Sequence, residues 1–252
     1  MNQTEKKELK KGISLNHIII TALAIVASTI LAMYAVITAP VSPFPGVSGL
    51  YLAAAIYVPL SLWLGMWGCL TGYFSCLLLG LITTPFGAWN LVWAFADFLE
   101  GFIPLLAFRL LKSNVDIGNE LKNRIITKII LIILIVDVVI ASIATALAFN
   151  IIWIVSLCIS ISLIFLLYVI NKSKSWLIYV IFGVFSASAG SALIGVIVPI
   201  FGGFAPIESF WTGFIGWFAG DIIVLSTIST PIMVLLTRYI KKTSIFVDKW
   251  WI

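Results

Sequence analysis

Residues 125–149 read IITKIILIILIVDVVIASIATALAF, and this run decides the fold class. Lys128 stands near its start and Asp137 is the one charge in its interior. At ~1.5 Å rise per residue, a helix of this length reaches roughly 37 Å, beyond the ~30 Å hydrocarbon layer of a bilayer. A helix apolar on every face has no side for water, so it belongs in lipid or deep in a bundle. Further apolar runs flank it at 17–39, 47–64, 65–83, 89–111, 151–170, 176–200 and 209–240. The 252 residues are 62% hydrophobic and 10% charged, with a mean hydropathy of +1.18. A soluble domain holds roughly 45–50% apolar and about 25% charged residues. A water-soluble enzyme is thereby excluded. The expectation is a single all-α integral membrane domain over residues 1–252, a polytopic helical bundle of about eight spans. Spans 47–64 and 65–83 are short and joined by Leu64-Gly65-Met66, which leaves open two full crossings or a re-entrant or strongly tilted pair. Basic residues precede the first run as in a signal peptide, but the run exceeds an h-region of ~7–15 residues, so it reads as an uncleaved helix.

Charge placement sets the expected orientation. The basic residues are Lys6, Lys7, Lys10 and Lys11; Arg109, Lys112, Lys122, Arg124 and Lys128; Lys172 and Lys174; and Arg238, Lys241, Lys242 and Lys249. With eight spans, all of them fall on the side of the N-terminus. The positive-inside rule makes that side cytoplasmic and places both termini there, in a multi-pass protein of the plasma membrane. The net charge of +5 is then a topology device, and no nucleic-acid partner is expected. The outer connections 40–46 (PVSPFPG), 83–88 (TTPFGA) and 202–208 (GGFAPIE) are Pro- and Gly-rich turns, read as connectors in preference to the roof of a pocket. The hydrophilic stretch 113–124 (SNVDIGNELKNR) divides four-span halves 17–112 and 125–242. Trp93…Asp97 and Trp217…Asp221 share one spacing in the last span of each half, a faint sign of parallel duplication.

Four carboxylates fall inside apolar spans: Asp97, Glu100, Asp137 and Asp221. Each charged Asp near a helix centre costs roughly 2.5–3.5 kcal/mol on insertion scales, and no Lys or Arg lies mid-span to pair with it. Trp93, Asp97, Glu100 and Pro104 follow the three–four spacing of one helix face. Two carboxylates one turn apart do not both ionise readily in low dielectric, so the pair suits a cation, a protonated amine or a proton. A tryptophan beside a carboxylate is what recognises an organic cation. The candidate ligand-binding set is therefore Trp93, Asp97, Glu100, Trp217 and Asp221. Asp137, close to Ser142 and Thr145, reads as structural.

Small residues mark where helices approach: Gly68 and Gly72, the stripe Gly183, Ala187, Ser191 and Gly195, and Gly216 with Gly220. A further stripe, Ala24, Ser28 and Ala32, is the candidate contact with a partner membrane subunit. Cys69, Cys76 and Cys158 sit in apolar runs, and a single histidine, His17, makes a zinc site improbable. His17 itself reads as interfacial, as does the C-terminal anchor 246–252 (FVDKWWI). Without a phosphate-binding loop, an HExxH or a Ser/His/Asp arrangement, neither an enzyme nor a bound cofactor is expected.

Residues 49–80 (GLYLAAAIYVPLSLWLGMWGCLTGYFSCLLLG), followed by Ala96-Asp97-Phe98-Leu99-Glu100-Gly101 and Phe108-Arg109-Leu110-Leu111, resemble part of a known family. So does 210–235, with Trp217-Phe218-Ala219-Gly220-Asp221 and Pro231. The family is the first-type membrane-associated sensor domain, an eight-span module usually fused to histidine kinases or diguanylate cyclases. The resemblance implies a small ligand bound in the bundle, with Glu100 and Asp221 the best-matching positions. With no signalling domain here, a separate partner protein is implied. The pattern is also similar to substrate-binding S components of energy-coupling-factor transporters, usually of about six spans. Those use small residues of the first helix to meet the coupling subunit, the place Ala24, Ser28 and Ala32 would take. The expected function is thus a small-molecule-binding membrane protein signalling through a partner. The alternatives are such a vitamin or metabolite uptake subunit, or a cation- or proton-coupled carrier.

Overall fold

The computed structural model describes residues 15–42, 44, 46–84, 87–146 and 150–251. Regular structure among them is helical, apart from one antiparallel bridge between Pro40 and Ser48. The helices are α1 (Leu15–Thr38), α2 (Ala54–Leu64), α3 (Met66–Thr83), α4 (Ala88–Leu110), α5 (Arg124–Ala146), α6 (Asn150–Asn171), α7 (Lys174–Phe201) and α8 (Ile207–Ile240). Seven are long and apolar enough to cross a membrane, and the 11-residue α2 is not. Span 47–64, short already in the sequence, is the one whose helix falls below membrane length. Its first residues are not helical, because Ser48 holds them in a turn: its Oγ donates to the Ala35 carbonyl (2.8 Å) and accepts from Leu50 N–H (3.1 Å). The helix then begins only at Ala54.

Small residues set how closely these helices pack. A Cβ on Gly68 would overlap the backbone of Leu60 and Ser61 in α2, and one on Gly220 would overlap the Gly49 carbonyl. Gly72 lies against the Asp97 carbonyl, which a Cβ would meet at 2.7 Å. Gly65, at φ +64°, makes the reversal between α2 and α3 against the carbonyl of Trp250, a geometry a side chain would strain. α1 packs on α3 through a buried face containing His17, Thr21, Ser28, Ala32 and Ala35. Ser28 and Ala32 are fully buried and Ala24 half-buried within the chain itself, so their small side chains serve the α1–α3 contact. The outward faces carry Ile125, Ile132, Val136 and Val139 on α5 and Ile151, Ile154 and Val155 on α6, all exposed and apolar, as a lipid-facing surface requires.

Arg109, Lys174, the start of α1 and residues 245–250 gather at one end of the bundle. His17 bonds to the Ile245 carbonyl (2.9 Å), Val247 N–H donates to Trp63 (2.8 Å), and Met66 N–H donates to Trp250 (3.0 Å). Arg109 Nη2 donates to the carbonyls of Val247 (2.6 Å) and Leu62 (3.3 Å), and Lys174 Nζ to Leu111 (2.7 Å). The C-terminal anchor is therefore a strap folded under α1–α4, and buried His17 is one of its pins. Lys6, Lys7, Lys10 and Lys11 lie outside the described residues. At the opposite end, Val41, Phe44, Gly46 and Gly49 of the 39–49 connection pack onto α4 and α8. A Cβ on Gly46 (φ +78°) would meet the Trp93 ring at 2.6 Å, while Phe44 and Val41 cover Gly213 and Gly216. This loop covers the interior residues below it and is more than a connector.

α8 is the central helix, buried almost continuously from Trp217 to Val234. Its regular turns give way to a wider π-helical stretch at Leu225–Ser229, just before Pro231, and α7 has one at Tyr179–Ser186. Proline has no N–H for the helical ladder, which opens the turn before it.

Candidate functional site

All five candidate ligand-binding residues meet in one place. α4 supplies Trp93, Asp97 and Glu100 from one face, and α8 supplies Trp217 and Asp221, one turn apart. The two helices pack chiefly on α7, and their side chains meet across the space between. Trp93 and Trp217 stand edge to face, with ring centroids 6.2 Å apart. Each indole N–H is tied to α7: Trp93 Nε1 to the Gly195 carbonyl (3.0 Å) and Trp217 Nε1 to Ser191 Oγ (3.1 Å). Gly195 is required there, because a Cβ would overlap the Trp217 ring. The stripe Gly183–Gly195 therefore seats the aromatic pair as well as the backbone.

The three carboxyl groups are each fully buried, at 0% exposure. Tyr51 Oη donates to Asp97 Oδ2 (2.9 Å), and Tyr57 Oη donates to Glu100 Oε2. Glu100 and Asp221 face each other, with Ser191 beside Glu100 and the Cys76 thiol beside Asp97. Asp97 Oδ1, Glu100 Oε1 and both oxygens of Asp221 accept no hydrogen bond from a protein hydroxyl or N–H group, and Glu100 and Asp221 lie close enough to share a proton. No cationic side chain among the described residues pairs with them. Three negative charges left so close together in low dielectric repel strongly, so protons or a bound cation must neutralise them.

Asp137 differs. It accepts hydrogen bonds from Ser156 (3.0 Å) and Ser160 (2.9 Å) of α6, while Ser142 and Thr145 bond back to their own helix. The acid is structural, through donors on the neighbouring helix. Cys69, Cys76 and Cys158 are free thiols.

Sequence reasoning missed Tyr51 and Tyr57. Tyr51 lies just before α2, outside any helical period, and only its hydroxyl in an apolar run signalled the need for a partner. Among the described residues, no group of three or more His, Cys, Asp or Glu is arranged to hold a metal ion. Instead, the acids share their surroundings with the rings of Trp93, Trp217, Tyr51 and Tyr57. Tyr51 lies 6.4 Å from Trp217, centroid to centroid. Carboxyl oxygens for charge and aromatic faces for its hydrocarbon substituents are the elements that bind an organic cation.

Fold and site together define the class: a multi-pass helical membrane protein with a buried cluster of acids and aromatic rings at its centre. Compared with known proteins, the chain matches no family model, no curated protein and no solved structure.

Proposed function

We propose that this is a membrane receptor for a small organic cation, of the protonated-amine or quaternary-ammonium type, bound between α4, α7 and α8. The observation that carries the reading is the set of four carboxyl oxygens on Asp97, Glu100 and Asp221 without a hydroxyl or N–H donor, enclosed by aromatic rings with no protein cation near. Buried polar atoms in native proteins nearly always have partners, and intramembrane acids mark functional sites. The missing partner here is positive. Trp93 and Trp217 would face the ligand's hydrocarbon surface, Asp221 and Glu100 its charge, and Tyr51 and Tyr57 would hold the acids in place.

In this reading the chain makes eight passes with both termini cytoplasmic in the plasma membrane. Two observations support it: the gathering of basic residues from Arg109 to Lys249 at one end, and the return of the chain between Gly49 and Gly65 through the short α2. Buried, non-helical backbone at membrane depth is tolerated where protein surrounds it. Occupancy of the site would pass to a separate signalling protein, as the likeness of residues 49–80, 96–101, 108–111 and 210–235 to membrane-associated sensor domains suggests.

The test is thermal unfolding of the purified protein in nanodiscs with methylammonium, tetramethylammonium, choline and, as a control, sodium. An organic cation should raise the melting temperature of the wild type and leave Asp221→Asn unchanged. Equal shifts in both proteins would sink the assigned site.

A further inference from the structure

We propose that the widened turn of α8 is a water-binding site that carries protons between the acid cluster and the basic end of the bundle. The proposal rests on the cluster being the working centre, but its test is independent of cation binding. Ser226 and Ser229 are fully buried, and neither hydroxyl has a protein partner. Buried Ser and Thr on a helix ordinarily donate to a carbonyl three or four residues back. Thr227 does so to Ile223 (2.6 Å), and Thr237 to Met233 (2.6 Å). Ser226 and Ser229, on the same helix, do not.

The reason lies in the local backbone. Pro231 withholds an N–H, the ladder opens over Leu225–Ser229, and Thr230 Oγ1 instead donates to the Leu225 carbonyl (3.0 Å). The same Thr230 hydroxyl reaches Tyr179 Oη (3.3 Å), at the start of the widened stretch of α7. Ser226, Ser229, Thr230 and the Leu225 carbonyl thus place polar atoms in one short buried stretch of α8, with Tyr179 Oη of α7 beside Thr230. A buried water with two to four polar partners is what ordinarily satisfies such atoms.

Placement gives the water a task. Asp221 and Ser229 are eight residues apart, roughly 12 Å at ~1.5 Å per residue, a little over two turns along α8 and within about a quarter turn of one another. A chain of about three waters at ~2.8 Å per hydrogen bond closes that gap. Farther along, Thr237 continues the line toward the basic end, its hydroxyl accepting from Trp63 Nε1 (2.9 Å). The other titratable groups on helices around the turn are engaged elsewhere: Asp137 by two serines and Tyr57 by Glu100. Lys128 lies near the basic end of α5. A proton would enter by exchange along the waters and leave the same way, with no other bond made or broken.

The experiment follows deuteration of the protonated-carboxyl C=O band by infrared spectroscopy, after the protein in nanodiscs is switched to D2O. The proteins compared are the wild type and the double variant Ser226→Val/Ser229→Val, which removes both hydroxyls. The variant should exchange at least tenfold more slowly, with the same carboxyl band area and the same melting temperature. Wild-type exchange rates in the variant overturn the proposal, as does a wild type without an exchanging carboxyl band. If the valine variant does not fold, Ser226→Ala/Ser229→Ala, which deletes only the hydroxyls, is judged by the same criterion. Failure of every ammonium ion to bind would remove the receptor reading and leave this result standing.

Discussion

Replacing Asp221 with valine should make the ligand-free protein more stable, while the same change at Asp137 should make it less stable. Both residues are buried acids in membrane-length helices, so a rule based on residue type or burial gives them one sign. Their partners give them opposite signs. Asp221 holds two oxygens that accept no hydrogen bond from a hydroxyl or N–H group. A buried, unsatisfied polar group costs about 1–3 kcal/mol, so removing both relieves about 2–6 kcal/mol. Valine fits the side-chain volume imperfectly, and the resulting strain takes back about 1–3 kcal/mol. At the midpoints, about 4 against about 2 kcal/mol, the net expectation is a gain of about 2 kcal/mol. Asp137 accepts from Ser156 and Ser160, and side-chain hydrogen bonds between membrane helices average about 0.6 kcal/mol each. Losing both should cost about 1–2 kcal/mol. Chemical unfolding in mixed micelles, followed by tryptophan fluorescence, measures both changes in one assay. Destabilisation of Asp221→Val to the same degree as Asp137→Val would refute the reasoning, because the cluster would then be a satisfied structural element.

Three further outcomes follow from the same contacts. Gly220→Ala should destabilise by about 1–3 kcal/mol in the same unfolding assay, since its Cβ would overlap the Gly49 backbone. Arg109→Ala removes a charged donor to two carbonyls, worth about 1.5–3 kcal/mol, and should speed amide hydrogen exchange in residues 245–250 over wild type without altering the acid cluster. Trp93→Phe deletes the bond to Gly195 and should lower stability by about 1 kcal/mol, while halving or more the melting shift produced by an organic cation.

The helical class was legible because runs such as 125–149 leave no face for water. The meeting of α4 and α8 was legible in part: Trp93, Asp97 and Glu100 share a helix face by spacing alone, and the matching Trp217…Asp221 pair pointed to a second contributor. What spacing could not show is that α7 stands between them, with Gly195 and Ser191 fixing the two indoles. Apolar content overstated α2, since hydropathy does not register the turn that Ser48 makes with Ala35 and Leu50. The stripe Ala24, Ser28 and Ala32 pointed correctly to close packing, but a small-residue face reads the same whether its partner is α3 or another chain. Likewise Asp137 and Asp221 look alike in sequence. Only the positions of Ser156 and Ser160 separate a satisfied acid from an unsatisfied one.

The most direct test of the central claim is mass spectrometry of small molecules extracted from the purified protein. Wild type and the double variant Glu100→Gln/Asp221→Asn would be prepared in parallel from native membranes. The account predicts a positively charged organic compound retained by the wild type and absent from the variant. Identical small-molecule profiles from two folded proteins would contradict it.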